Sequence, residues 1–170
     1  MNNILITGKP GIGKTTVIRK IIEKSGKRIG GFFTEEIREK GIRTGFLIKD
    51  LNGNQSMLSH CGIQSPCRVG KYGVNVEAID SIGVSAVRSA LENDEIKIII
   101  IDEIAKMELF SKRFQSAVTD ALNAPKSVLG TLQDKNIFFI NNLRERKDVS
   151  IITITLQNRE TIFNHILEII

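Results

Sequence analysis

Residues 8–15, with the sequence GKPGIGKT, carry the clearest chemistry in this chain of 170 residues. Their spacing fits the pattern G-x-x-x-x-G-K-[ST], in which a glycine-rich turn directs backbone N–H groups at phosphate oxygens. In that pattern Lys14 supplies positive charge to the β- and γ-phosphates, and the Thr15 hydroxyl is a ligand for Mg²⁺. The sequence therefore predicts a site for a nucleoside triphosphate with Mg²⁺ as cofactor, in which Lys14 also assists catalysis.

The segments on either side have the pattern that such a loop requires. Residues 3–7 form a short apolar run typical of a buried strand. After the loop, Val17, Ile18, Ile21 and Ile22 recur on one face of a predicted helix. This helix would direct its positive N-terminal end at the bound phosphates.

A pair of acidic residues follows a second buried strand about ninety residues further on. The β-branched run from Ile98 to Ile101 predicts a strand buried on both faces, and it leads directly into Asp102 and Glu103. The carboxyl end of a parallel strand is where such sheets bind ligands. We therefore predict that Asp102 holds Mg²⁺, directly or through water, and that Glu103 polarises the attacking water as a general base.

Three later residues have two interpretations each. Thr131 ends the next predicted strand, where its hydroxyl would sense the γ-phosphate or orient water, or would merely cap its own strand. Arg144 and Arg146 lie in a basic cluster. Either would serve as an arginine finger in cis, or the cluster is a solvated group of charges.

The remaining pattern predicts an α/β fold: a mostly parallel sheet of at least four strands, flanked by helices, with an inserted antiparallel meander. The meander consists of predicted strands at residues 29–38, 42–49 and 55–60, and extends the sheet at one edge. Further along we expect a loop at 61–75, helices at 76–91, after Ser111, at about 134–145 and after Asn158 as N-cap, and strands at 128–132 and 151–156. The length favours one domain over residues 1–170.

The composition is that of an ordinary globular protein, with 41% hydrophobic and 25% charged residues. We expect no membrane span and no signal peptide, and the presence of only two cysteines fits a reducing compartment, so we expect a cytoplasmic monomer. The net charge is +5 and the pI is about 9.3. Because basic residues are scattered and aromatic content is 5%, nucleic-acid binding is not favoured.

Several segments together resemble the THEP-type nucleoside-triphosphatases, a family that includes the human cancer-related nucleoside-triphosphatase. The resemblance runs nearly end to end, and its most specific segments are GGFFTEEIR at residues 30–38 and IIDEIAKMELFS at 100–111. It implies a P-loop fold of the additional-strand, catalytic-glutamate type, and slow Mg²⁺-dependent hydrolysis of ATP, GTP and other nucleoside triphosphates to diphosphate and phosphate.

The resemblance also implies site residues. It indicates two nucleotide-binding segments and marks Lys106, Arg146 and Asn158 as further candidates, with Arg146 as a catalytic candidate. The first segment consists of Gly8, Lys9, Pro10, Gly11, Ile12, Gly13, Lys14, Thr15 and Thr16. The second consists of Ile100, Ile101, Asp102, Glu103, Ile104, Ala105, Lys106 and Met107.

Two other functions stay open at the level of sequence. A P-loop kinase acting on a small molecule or RNA would need an acceptor pocket and a lid, which we expect only residues 133–147 to supply. A nucleotide-dependent switch that binds nucleic acid would use hydrolysis only to time its binding. The guanine-reading Asn-Lys-x-Asp pattern is absent from the sequence, which argues against strict use of GTP.

Overall fold

One mixed sheet organises the molecule in the computed structural model, which describes residues 2–170. Its strands are β1 (Asn3–Thr7), β2 (Ile29–Glu39), β3 (Ile42–Asp50), β4 (Gln55–His60), β5 (Arg68–Val69), β6 (Tyr72–Val74), β7 (Ile98–Ile104), β8 (Ser127–Leu132) and β9 (Val149–Thr153). Within the described residues their spatial order is β5-β6-β4-β3-β2-β7-β8-β1-β9.

Five neighbouring strands run parallel and form one side of the sheet, with β9 at its edge: β2, β7, β8, β1 and β9. The predicted core of at least four parallel strands is therefore confirmed, and β2 is the fifth. Because β2 also pairs antiparallel with β3, it belongs to the parallel core and to the meander at once. The fold class predicted from the sequence, a mostly parallel sheet with an antiparallel meander, is confirmed.

The helices are α1 (Lys14–Lys24), α2 (Val76–Ala78), α3 (Ser85–Glu92), α4 (Lys112–Asn123), α5 (Phe138–Glu145) and α6 (Arg159–Ile169). A π-helical stretch, Ile79–Val84, joins α2 to α3, and a 3-10 turn, Glu108–Phe110, precedes α4. Ser111 caps α4 as predicted, because its Oγ accepts a hydrogen bond from the Phe114 N–H at 3.0 Å. Among residues 2–170, no helix has both the length and the apolar character needed to cross a membrane.

The helices cover both faces of the sheet, so the core has two halves. Helices α1 and α6 pack on one face through Ile18, Ile21 and Ile166, whereas α3, α4 and α5 pack on the other. Strand β7 packs into both halves of the core. Ile98 and Ile100 face the α1 side, and Ile99 and Ile101 face the opposite layer. This alternation holds β7, and the acids that follow Ile101, rigidly at the centre of the sheet.

Three predicted elements differ from the structure. The segment 61–75 was expected to be a loop, but it contains β5 and β6, whose two or three residues are too few to show a strand period. The helix expected at 134–145 begins only at Phe138, which leaves residues 133–137 as a loop. The last strand, expected at 151–156, runs from Val149 to Thr153 because the chain turns at Thr155, whose N–H donates to Asn158 Oδ1 at 2.8 Å.

Candidate active site

The phosphate loop connects the carboxyl end of β1 to the start of α1. Gly8 and Gly13 have φ angles of 147° and 106°, which residues other than glycine rarely adopt. Gly8 also lies so close to the β9 loop that a Cβ would be 2.7 Å from the Ile154 carbonyl oxygen. Helix α1 begins at Lys14 and has no acidic residue in its first turn, so its positive end is open to an anion.

The Lys14 ammonium group lies between the loop and the end of β7. Its Nζ donates a hydrogen bond to the Gly8 carbonyl at 3.2 Å and lies 4.0 Å from Glu103 Oε1. The side chain is only 13% exposed, so its position is well defined by its surroundings. This arrangement places one cation within reach of both a loop-bound phosphate and the candidate base.

Asp102 is buried at the end of β7, where two hydroxyl groups hold it. Thr131 Oγ1 donates a hydrogen bond to Asp102 Oδ1, and Thr15 is a further hydrogen-bond partner. Burial raises the pKa of Asp102, while the hydrogen bonds from Thr131 and Thr15 oppose that rise. Thr131 therefore does what neither sequence interpretation proposed: it orients a carboxylate.

Asp102 and Thr15, the two predicted magnesium ligands, lie together as required. Asp102 Oδ2 has no hydrogen-bond partner among residues 2–170, which leaves one buried carboxylate oxygen available to a ligand. A carboxylate and a hydroxyl are hard oxygen donors of the kind that Mg²⁺ prefers, with its other positions filled by water and phosphate. The residues present therefore fit Mg²⁺.

Glu103 points into the cleft beside Lys14 and is half-buried, with 31% of its side chain exposed. Burial raises its pKa to about 7, the nearby Lys14 charge opposes the rise, and the Asp102 charge adds to it. A carboxylate with a pKa near neutrality is well matched to accept a proton at neutral pH.

Glu108 is a third acid at the site, and sequence analysis missed it. It is 2% exposed, lies in the 3-10 turn after β7, and lines the same cleft as Glu103. Its Oε2 has no partner within the part of the chain that the structure describes. Burial, and then the charges of Glu103 and Asp102, raise its pKa well above the usual value. Its flanking apolar residues, Met107 and Leu109, were the one available signal of burial.

A cleft of about 840 Å³ brings most of the predicted site residues together. Those lining it are Gly8, Lys9, Pro10, Gly11, Gly13, Lys14, Thr15, Thr16, Asp102, Glu103, Ala105, Lys106 and Met107. Its other walls come from β2, β3 and β6 and from the loop at residues 133–135. Three cleft cations, Arg19, Arg38 and Arg43, were not singled out by sequence analysis, because surface arginines in strands and helices have no spacing pattern.

Four predicted nucleotide-binding residues with apolar side chains do not line the cleft. Ile100, Ile101 and Ile104 are fully buried, and they support Asp102 and Glu103 from within the core. Ile12 packs against the apolar cluster on the α1 face, so only its backbone belongs to the phosphate loop. The side chains of these four residues therefore pack in the core, and only their backbone groups are left to contact a nucleotide.

The candidate nucleotide-binding residue Asn158 lies outside the cleft as well. It stands at the N-cap position of α6, but its side chain makes no capping bond and does not line the cleft. Its Oδ1 accepts from the Thr155 N–H at 2.8 Å, and its Nδ2 donates to the Thr153 carbonyl at 2.9 Å. Asn158 therefore shapes the turn after β9.

The structure separates Arg146 from the site. Arg146 precedes β9, whose first residue, Val149, pairs with Asn3 at the start of β1. The phosphate loop follows the other end of β1, roughly 13 Å away along the strand. The guanidinium donates to Asp148 at 2.6 and 2.9 Å and to Asn123 at 2.8 Å. Its assignment as an arginine finger acting in cis is therefore corrected to a structural clamp.

Arg144, its neighbour in sequence, is turned towards the cleft loop. Its guanidinium donates to the Lys135 carbonyl at 3.2 Å and to Asp134 Oδ1 at 2.9 Å. Both partners line the cleft. Arg144 thus supports one wall of the cleft, whereas Arg146 lies at the opposite end of the parallel strands.

Comparisons with known proteins show the family to which the chain is similar. The family model NTPase_1, described as NTPase, matches residues 3–167. A nucleoside-triphosphatase THEP1 from Thermotoga sp. (strain RQ2) is 41% identical over 167 residues, covering 98% of this chain and 94% of the relative.

Two solved structures share the fold. The crystal structure of THEP1 from Aquifex aeolicus has a TM-score of 0.88 and 37% identity, covering 99% of this chain and 98% of that one. The solution structure of a human cancer-related nucleoside triphosphatase has a TM-score of 0.84 and 35% identity, covering 99% and 97%.

Proposed function

Because the chain belongs to the NTPase family, we propose that it hydrolyses the β–γ phosphoanhydride bond of nucleoside triphosphates, ATP and GTP among them, in a Mg²⁺-dependent reaction. The observation that carries the proposal is the 4.0 Å separation of Lys14 Nζ and Glu103 Oε1 in one cleft. A phosphate-binding cation and a candidate base side by side in one cleft would both adjoin a γ-phosphate and its attacking water.

The binding steps follow from the loop. Its backbone N–H groups and the N-terminus of α1 bind the β- and γ-phosphates, and Lys14 neutralises charge on their oxygens. Thr15 and Asp102 would hold Mg²⁺, which would supply positive charge to offset the negative charge that develops on the phosphates. Thr131 keeps the Asp102 carboxylate in the orientation that this requires.

The chemical step needs a base, and Glu103 is placed to be one. Its carboxylate orients a water molecule and takes its proton as the water oxygen bonds to the γ-phosphorus. The bond from the γ-phosphorus to the bridging oxygen breaks, and the nucleoside diphosphate leaves with that oxygen. Lys14 and Arg19, both in the cleft, are cations of the same chain that can meet this charge.

The test is phosphate release in Mg²⁺ by the parent protein and by Lys14→Ala. The variant should lose hydrolysis and bind triphosphate far more weakly, because it loses a charge-assisted phosphate contact. Lys24→Ala, at the exposed end of the same helix, is the matched control and should keep full activity. Unchanged turnover in folded Lys14→Ala would overturn the proposal.

A further inference from the structure

The β2–β3 hairpin extends beyond the carboxyl ends of the parallel strands, the end of the sheet at which the phosphate loop lies. Strand β2 pairs with β7 only from Ile29 to Phe32, opposite Ile98 to Ile101. Its remaining residues continue to Glu39 and pair with β3 alone. Because the acidic pair follows Ile101, the last β7 residue paired with β2, the overhanging part of β2 and β3 lies on the same cleft as Glu103. It forms one side of that cleft, which we name the hairpin wall (residues 33–46).

Where the hairpin wall and the neighbouring Arg19 line the cleft, three arginines (Arg19, Arg38 and Arg43) face two glutamates (Glu35 and Glu36). Glu35 lies 3.1 Å from both Arg19 and Lys49, and Glu36 lies 2.6 Å from Arg38 and 2.9 Å from Arg43. The pKa values of both glutamates are lowered. For Glu35 the hydrogen bond from Lys49 is the main cause, and for Glu36 burial opposes the lowering but is outweighed by the hydrogen bonds from Arg43 and Arg38. Two carboxylates therefore share four cations, an arrangement that favours an incoming anion.

Next to the hairpin wall, an apolar surface lines the far end of the cleft, and we name it the apolar floor. It is formed by Phe46, Leu58, Val69 and Tyr72. The Phe46 and Tyr72 rings pack edge to face at 5.7 Å. The Arg43 guanidinium lies 5.1 Å from the Phe46 ring centre, and its Nε donates to Tyr72 Oη at 3.2 Å. Arg43 is therefore held in place before any ligand arrives.

We propose that the hairpin wall and its apolar floor form a second ligand site for a small anion with a planar ring, such as a nucleoside monophosphate. The anionic group would bind Arg38 and Arg43, and the ring would lie on Phe46 and Val69. The inference rests on the proposed function in one respect, because the second ligand binds while the phosphate loop holds its triphosphate.

Strand order separates the two ligands. The phosphate loop follows β1, and β8 and β7 lie between β1 and the hairpin wall. Lys14 lies beside Glu103 at the end of β7, so the γ-phosphate end of a triphosphate points towards the wall. The base of that triphosphate extends the opposite way, which leaves the wall free for another molecule next to the γ-phosphate.

The experiment measures binding of labelled AMP to protein saturated with a non-hydrolysable ATP analogue and Mg²⁺, by equilibrium dialysis. We expect one AMP per chain, retained when the analogue is raised further. Arg43→Gln and Arg38→Gln should each weaken AMP binding about 10-fold or more, since each removes a charge-assisted contact, while analogue affinity stays unchanged. Arg28→Gln, whose guanidinium pairs with exposed Glu95 outside the cleft, is the matched control and should bind AMP normally.

Ribose 5-phosphate, which keeps the anion but lacks the ring, should bind about 10-fold more weakly than AMP because it cannot use the apolar floor. Equal binding of the two would overturn the planar-ring part of the proposal. Displacement of AMP by the analogue, or full AMP binding by both arginine variants, would overturn the second site.

The Lys14→Ala variant separates this inference from the proposed function. AMP binding to this variant without triphosphate reports on the wall alone, and it should match the affinity of the parent protein. If the parent protein releases no phosphate but Lys14→Ala still binds AMP in an Arg43-dependent way, the proposed function fails and the second site stands. If the parent protein hydrolyses triphosphate but binds no AMP, the second site fails and the proposed function stands.

Discussion

Consecutive residues at the end of β7 have different chemistry because they face different surroundings. Asp102 is 1% exposed and is held by Thr131, whereas Glu103 opens into the cleft beside Lys14. Asp102 lies against Thr131 and close to Thr15 of the phosphate loop, whereas Glu103 faces the open cleft, where an attacking water would lie. We therefore expect Asp102 to act as the metal ligand and Glu103 as the base, because their side chains face these different surroundings.

Glu103→Gln tests this assignment, because glutamine keeps the size of the side chain but cannot take a proton at neutral pH. Turnover should fall on the order of 10²-fold or more, while triphosphate affinity stays nearly intact. The measurement is single-turnover hydrolysis together with analogue binding. If turnover is unaffected while Asp102→Asn is inactive, another group activates the water.

Glu108→Gln should make stability less dependent on pH. The pKa of Glu108 is raised in the folded protein by burial and by Glu103 and Asp102, so between the ordinary 4.5 and that raised value only the folded state holds this proton. The free energy of unfolding therefore falls as pH rises through this window. Without Mg²⁺ or nucleotide, Glu108→Gln should be more stable than the parent at pH 8, and the difference should shrink towards pH 4.

Urea unfolding across this pH range measures the effect. Glu92→Gln, an exposed glutamate at the end of α3, is the control and should follow the parent. A Glu108→Gln variant that loses stability at pH 8 would show that the carboxyl is ionised and paired in the folded protein.

At the scale of elements, the ends of α5 decide which basic residue meets the cleft. The helix ends at Glu145, so Arg144 lies in its last turn and reaches back to Asp134 and Lys135. Arg146 lies one step past the end and reaches Asn123 at the end of α4 and Asp148 before β9. Two residues of separation along the chain therefore place these guanidinium groups against opposite ends of the sheet.

Arg146→Ala should leave turnover unchanged and lower the free energy of unfolding by about 1 kcal/mol, because it removes hydrogen bonds that join α4 to the start of β9. Arg144→Ala should instead change kcat or KM, since it releases the cleft loop at Gln133 to Lys135. Kinetics and thermal unfolding of both variants distinguish the two roles. A large loss of turnover in Arg146→Ala alone would restore it as a catalytic residue.

At the scale of the whole molecule, we expect the cleft to recognise phosphates far better than bases. The loop after β9, which contains the candidate nucleotide-binding residue Asn158, does not line the cleft, and the Asn158 side chain is used within its own turn. Phosphate contacts through Lys14 and the loop backbone are the same for every nucleoside triphosphate. Recognition should therefore depend little on the base.

Saturation kinetics with ATP, GTP, CTP and UTP in excess Mg²⁺ should give kcat/KM values within about 10³-fold of one another, since greater discrimination requires dedicated buried hydrogen bonds to a base. A preference above that limit would reveal a base pocket that forms only with nucleotide bound. Specific activity should also be independent of protein concentration, as expected for a monomer whose cleft cations come from one chain.

The sequence alone determined the features that depend on local geometry. The phosphate loop requires glycines at fixed spacing, and Gly8 and Gly13 have the positive φ angles that this requires. The run Ile98 to Ile101 is buried on both faces whatever its neighbours are, so β7 and the acids at its end were predictable. Helix α4 was equally clear, because its cap and its apolar face are both local.

Only the tertiary structure decided which distant residues meet. Glu108 is buried because the 3-10 turn folds under the cleft. Arg146 lies away from the site because β9 starts beside the amino end of β1, whereas the phosphate loop follows the carboxyl end. Arg38 and Arg43 enter the site because β2 pairs with β7 and then overhangs it. Strand order and strand overhang depend on long-range pairing, whose free energy is summed over the whole sheet, so no local pattern in the sequence records them.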